Sequence, residues 1–141
     1  MANVKIMETT SDAMRCYPVM VQLRPHVSED EFLTYVNEEA KMGYRLAALV
    51  EHGEIYSLAG YRIKNNLAFG SLMYVEDLVS DEKYRSQGGG KMLLQWLLKQ
   101  AKENNCKKLA LDSGVTRHAA HRFYINNKMD LLGYGFMMSL D

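Results

Sequence analysis

Residues 85–91 read Arg85-Ser86-Gln87-Gly88-Gly89-Gly90-Lys91, between an apolar strand-like run and a strongly apolar helical one. These residue types in this order can hold phosphates. Successive glycines let the backbone take positive φ and approach a ligand closely. A following helix offers free N–H groups and the positive end of its dipole to an anion. Arg85 and Lys91 add positive charge at either end. The competing reading is a flexible surface turn, and the glycines alone do not separate the two. Better-known phosphate loops fit poorly. A nucleoside triphosphate loop ends Gly-Lys-Ser/Thr, and Met92 stands where the hydroxyl is needed. A dinucleotide fingerprint needs a third glycine where Leu93 stands, and it opens the first βαβ unit rather than following three antiparallel runs. His118 and His121 lie three apart on one helical pattern, but no third ligand at suitable spacing accompanies them, and catalytic zinc takes three protein ligands. No metal is therefore expected.

The elements that must carry this loop are legible from periodicity. Residues 4–7 resemble a short strand, and 11–24 a helix that Pro18 kinks or starts. Ser28 and Glu31 form a capping box for a helix through Phe32, Leu33, Val36 and Ala40, with Gly43 as its stop. Residues 46–51 and 55–63 read as a hairpin around His52-Gly53-Glu54. A second turn at 64–66 leads to a third strand at 72–79. Residues 91–104 form a helix with a wide apolar face that includes Met92 and Leu98, and 108–111 a strand. A crossover of this length implies parallel pairing. A helix at about 116–127 and a last hairpin within 129–140 complete the order β-α-α-β-β-β-α-β-α-β-β. The expectation is one domain over residues 1–141, a mixed α/β layer structure. Met73, Met92, Met137 and Met138 are assigned to core filling, and Tyr44, Tyr61 and Tyr74 to a candidate pocket lining.

Composition narrows the class. The chain has 141 residues, 48% hydrophobic and 24% charged, with 17 basic and 17 acidic side chains. Such a balance lacks the bulk attraction of a general nucleic-acid binder. Cys16 and Cys106 are far apart and suggest neither a disulfide framework nor a zinc knuckle, so a cytoplasmic location is expected. No signal peptide is visible, and the longest apolar runs are too short to span a membrane.

Four stretches point to a family. The loop fits Arg/Gln-x-x-Gly-x-Gly/Ala through Arg85, Gly88 and Gly90. Residues 75–80, Val-Glu-Asp-Leu-Val-Ser, precede it as the family's fourth strand does, and 109–114 look like its fifth. Ala120-His121-Arg122-Phe123-Tyr124 is similar to the family's Ala-His-x-Phe-Tyr helix. In order and spacing the chain resembles the GNAT superfamily of N-acetyltransferases, although Lys128-Met129 stands where that family usually has Gly-Phe.

The resemblance implies transfer of an acetyl group from acetyl-coenzyme A to an amine, small molecule or protein, by direct attack. It implies a pyrophosphate site at Arg85, Ser86, Gln87, Gly88, Gly89, Gly90 and Lys91, and pantetheine pairing along Leu78, Val79 and Ser80. A backbone N–H near Leu78 would polarise the thioester carbonyl. Glu76 is the first choice of base and Asp77 the reserve, with strand alternation pointing the two to opposite faces; the competing reading pairs Glu76 with Arg62. Tyr124 is the implied acid and cofactor contact. By the same analogy Arg24, His26 and the residues around Gly133 lie near the acceptor. The alternative function is a coenzyme A-binding sensor or interaction module without catalysis. Partners are acetyl-coenzyme A and the amine, with a homodimer left open and neither nucleic acid nor membrane expected.

Overall fold

Every side chain from Leu46 to Val50 is buried, and the reason is that the strand carrying them is covered on both faces. In the computed structural model, which describes residues 2–141, Leu46, Ala48 and Val50 join one cluster with Cys16, Val19, Met20 and Phe32. Leu49 points the other way, toward the backbone of Gly89. A strand sandwiched in this manner reads as a continuous apolar run instead of an alternating one.

The chain forms two units, one ending at Ala110 and the other running from Leu111 to Asp141. The first contains β1 (Asn3–Ile6), α1 (Thr10–Leu23), α2 (Glu29–Glu39), β2 (Arg45–Glu51), β3 (Glu54–Asn66), β4 (Gly70–Ser80), α3 (Gly89–Glu103) and β5 (Lys108–Leu111), whose last residue opens the second unit. The sheet order is β1-β2-β3-β4-β5. The first three pairings are antiparallel, and α3 makes the crossover between the adjacent strands β4 and β5 that a parallel pair requires.

Local chemistry sets most boundaries. Thr9 and Asp12 form a capping box ahead of α1, as Ser28 and Glu31 do ahead of α2. Pro18 sits inside α1 without ending it. Gly43, at φ +92°, closes the single 3-10 turn after α2. His52 and Gly53 both take positive φ, the two-residue turn that matches the twist of a tight hairpin. The β3–β4 hairpin is longer than expected: Asn66 pairs with Gly70, so residues 64–66 belong to the strand. The turn lies at 67–69, where the Asn66 side chain accepts from the Phe69 N–H at 2.7 Å.

Two helices cover one face of the sheet and α3 the other. α3 buries Leu93, Leu94, Leu97 and Ala101, and its Trp96 meets the ring of Tyr61 edge-on. Its buried face is narrower than expected, because Met92 and Leu98 are exposed. Of the methionines assigned to the core, Met73 is there; Met92, Met137 and Met138 are not. Cys16 lies wholly inside the α1 cluster, and burial pushes its thiol pKa up to about 12.

The second unit contains α4 (His118–Asn126). Lys128 holds a left-handed conformation at φ +66°, and Met129 closes the turn by donating its N–H to the Tyr124 carbonyl. The expected last hairpin is not formed: among the described residues, none beyond Lys128 belongs to a strand.

Candidate active site

Strand β4 brings together the two groups that sequence reasoning singled out. Its middle carries Glu76 and Asp77; just beyond its end lies the glycine loop.

The loop is fixed from beneath and open above. The Asp81 N–H donates to the Tyr56 carbonyl at 2.9 Å. The buried Asp81 side chain accepts from the Lys83 N–H and from Gln22 of α1, which in turn accepts from the Glu82 N–H. Tyr84 stacks on Tyr56 with ring centroids 3.8 Å apart, and its hydroxyl donates to Glu54. Ser86 at φ +68° and Gly88 at φ +82° then turn the backbone into α3. Ser57, fully buried in β3, donates to the Gly89 carbonyl at 3.1 Å and pins the helix start to the sheet. No side chain caps α3, and its first bond of the helical kind runs from Met92 N–H to the Gly88 carbonyl. The N–H groups of Gly89, Gly90 and Lys91 therefore precede the helical ladder, where an anion can take them. Arg85, Ser86, Gln87 and Lys91 are exposed around them. These are the features of a phosphate cradle, and they fit the pyrophosphate of coenzyme A.

The three glycines differ. Gly88 needs its left-handed φ, whereas a Cβ on Gly89 would meet Leu49 and Ser57 at ordinary contact distances of 3.5 and 3.6 Å.

Glu76 and Asp77 do not point to opposite faces. Gly60 pairs with Asp77 and Tyr61 with Val75, which leaves Glu76 as the extra residue of a β-bulge. The bulge breaks the alternation, and both carboxylates line one cleft of about 370 Å³ with Met20, Arg24, His26, Phe32, Tyr35 and Tyr44. Arg24 and His26 line the same cleft as the two carboxylates. Tyr44 lines the cleft, but Tyr61 packs against Trp96 and Tyr74 lies under Lys64; neither is among the lining residues.

Every carboxylate oxygen in this pair has a partner. Tyr35 donates to Glu76 Oε1 at 2.6 Å and Arg62 Nε to Glu76 Oε2. Arg62 also reaches Glu39 and the Tyr35 hydroxyl, each at 3.1 Å. Arg24 Nε donates to Asp77 Oδ1 at 3.0 Å, and Tyr44 to Asp77 Oδ2 at 2.9 Å. Burial and then the Glu76 contact push the Tyr35 phenol up to about 12; burial and then Asp77 raise Tyr44 further from its ordinary value. Both phenols stay protonated as donors. Burial alone would lower the Arg62 pKa, but its bonds to Glu76 and Glu39 outweigh that and raise it. The Arg62 pairing that competes with a base role for Glu76 is therefore present.

Gly60 makes this arrangement sterically possible. A Cβ there would lie 1.8 Å from the Tyr44 hydroxyl and 2.6 Å from Asp77 Oδ2. Tyr35, Glu39 and Gly60 had escaped sequence reasoning, since Tyr35 and Gly60 meet the carboxylates, and Glu39 meets Arg62, only across the fold.

In the second unit, the Tyr124 pKa is raised by burial, with Arg117 opposing. Phe123 meets its ring edge-on. His121 bonds the Gly114 carbonyl at 2.7 Å through Nε2. No helix among the described residues is long and apolar enough to cross a membrane.

The family model of the acetyltransferase (GNAT) family covers residues 6–127. The Bacillus subtilis (strain 168) protein named uncharacterized N-acetyltransferase YhdJ is 31% identical over 125 residues, 88% of each chain. Among solved structures, a transcriptional regulator from Bacillus halodurans C-125 superposes with a TM-score of 0.88 at 19% identity, over 99% of this chain and 100% of that one. The aminoglycoside N-acetyltransferase AAC(6')-Iy in complex with CoA gives 0.88 at 12% identity, over 99% and 94%.

Proposed function

The chain belongs to the acetyltransferase (GNAT) family, and from that premise we propose that it acetylates an amine seated in the cleft of Glu76 and Asp77. One observation supports this reading most directly: a single strand, β4, carries the cleft carboxylates at its middle and leads straight into the phosphate cradle. An acyl donor and an acceptor gripped at those two places would meet along it.

Acetyl-coenzyme A supplies the acetyl group as a thioester. The N–H groups of Gly89, Gly90 and Lys91, with Arg85 and the backbone through Ser86, Gln87 and Gly88, would hold its pyrophosphate. Leu78, Val79 and Ser80, beyond the bulge, would pair with the pantetheine arm, and the Leu78 N–H would polarise the carbonyl. Glu31, Glu76 and Asp77 favour arrival of a cationic amine. Glu76 is the assigned base, taking the amine proton on a carboxylate oxygen directly or through water; Arg62 and Tyr35 hold that carboxylate toward the cleft. Asp77, bridged between Arg24 and Tyr44, is the reserve. Tyr124 is the assigned acid. Its burial keeps the phenol protonated at neutral pH, ready to deliver a proton to the departing thiolate.

Thiol release from acetyl-coenzyme A across a panel of amines tests the reading. Release with at least one amine is expected, and Tyr124→Phe should lower kcat on the order of 10²-fold while cofactor binding persists. Cofactor binding with no release for any amine would move the assignment to a non-catalytic binding module.

A further inference from the structure

Helix α2 has an apolar stripe that the fold covers only in part. Phe32 is its one buried residue, whereas Leu33 and Val36 pack against the core and stay half-buried. Over them lies a second cavity of about 340 Å³, closed below by Met7, Ala13 and Leu46. That volume falls within the roughly 300–1,000 Å³ of small-molecule sites. α2 divides this cavity from the acceptor cleft: Phe32 and Tyr35 line the cleft, Leu33 and Val36 the second cavity, and Tyr44 lines both.

The rim carries both signs of charge, on Glu8 and Arg45. Ile6 pairs with Ala47, and the Met7 N–H donates to the Leu46 carbonyl at 2.7 Å. The next step of the same register sets Glu8 opposite Arg45. Side chains so placed start about 5 Å apart at Cβ, yet among the described residues no ion pair joins the two. Arg45 instead donates through Nη1 to the Ala40 and Tyr44 carbonyls, at 3.1 and 2.9 Å. One corner of the guanidinium is thus held at the end of α2, with its remaining N–H groups left for an anion. Thr10 and Asn37, both exposed, add neutral hydrogen-bonding groups to the lining.

A ligand that answers these groups carries an anion and a cation close together and an apolar body that reaches inward. A fatty acid leaves Glu8 unanswered, and an alkylamine leaves Arg45 so. A charged body would be stripped of water against Leu33 and Val36. An α-amino acid with an aliphatic side chain meets every demand. We propose that this cavity binds such an amino acid, its carboxylate on Arg45, its ammonium on Glu8 and its side chain against Leu33 and Val36.

Calorimetry on the full chain tests the site, with leucine as the probe. One leucine per chain should bind. Leucinamide and isocaproate each lack one of the two charges and should bind about tenfold more weakly, the effect of losing one charge-assisted hydrogen bond. Glutamate and lysine keep the head group but change the body, and should weaken as well. In the unaltered chain, nuclear Overhauser contacts should run from the leucine methyls to Leu33 and Val36. Arg45→Met and Glu8→Gln should each weaken leucine about tenfold, whereas Glu76→Gln should leave its affinity unchanged. Failure of leucine to bind at up to about 10 mM overturns the proposal. So does binding that glutamate or lysine matches, or that survives loss of either charge on the ligand. Binding lost with Glu76→Gln and kept with Glu8→Gln would put leucine in the acceptor cleft, and that overturns it too. The analogue and Overhauser arms use the unaltered chain, so a misfolded variant leaves the outcome decidable. None of these readouts depends on acetyl transfer.

Discussion

The two ends of the β4 path are built on opposite principles. In the cleft, side chains satisfy side chains: four oxygens of Glu76 and Asp77 meet Tyr35 of α2, Arg62 of β3, Arg24 at the end of α1 and Tyr44 just ahead of β2. In the loop the working groups are backbone N–H donors, positioned by two left-handed residues and one buried serine. The cleft is a closed network that loses much if one member shifts. The loop leaves its donors open, and its cost is conformational and local. Under the proposed function the cleft would receive the amine in a network whose members are already satisfied, and the loop would offer the pyrophosphate free donors and room.

Substitutions can break that contrast, and Gly60→Ala should do the most damage. Its Cβ would occupy the Tyr44 hydroxyl position, so overpacking and loss of the buried Asp77 bond together should cost about 3 kcal/mol in chemical denaturation. Little loss of stability would mean the network can re-form elsewhere. Arg62→Met strands Glu76 and Glu39; with partial exposure of all three side chains, a loss of about 2 kcal/mol is expected, below the figure for fully buried pairs.

The loop should respond more gently and residue by residue. Gly88→Ala forces a Cβ into φ +82° and should cost about 1 kcal/mol while weakening acetyl-coenzyme A in calorimetry. Gly89→Ala, with ordinary contacts and a helical position, should be neutral or gain up to about 1 kcal/mol from helix propensity. Equal effects at 88 and 89 would remove the distinction drawn between them.

The smallest effect is alkaline. The folded phenol pKa values of Tyr35 and Tyr44 lie above the ordinary value near 10. Their contribution to stability is fully present below pH 10 and is lost as pH rises through about 12 for Tyr35. Unfolding midpoints followed from pH 9 to 11.5 should fall, and Tyr35→Phe should flatten the slope.

The loop was legible in the sequence because everything it needs is local: Arg85, the glycines and the helix pattern fall within a few residues, and the Ser28 cap and His52-Gly53 turn were legible for the same reason. The cleft was not. Its partners are separated from the carboxylates by 14 to 53 residues, and one extra residue in a ladder reversed the facing of Glu76. A period-two rule cannot see that bulge, nor the Tyr44 hydroxyl seated against Gly60. The segment after Lys128 was read as a last hairpin from its alternation, yet none of its described residues joins a strand.

Cys16 gives the molecule an internal clock. Fully enclosed between α1 and the sheet, with a thiolate suppressed by a pKa of about 12, it can be alkylated only when the α1 face opens. Cys106, partly accessible, should react first. The lag between the first and second label, timed by mass spectrometry, would then measure how often that face comes apart under native conditions.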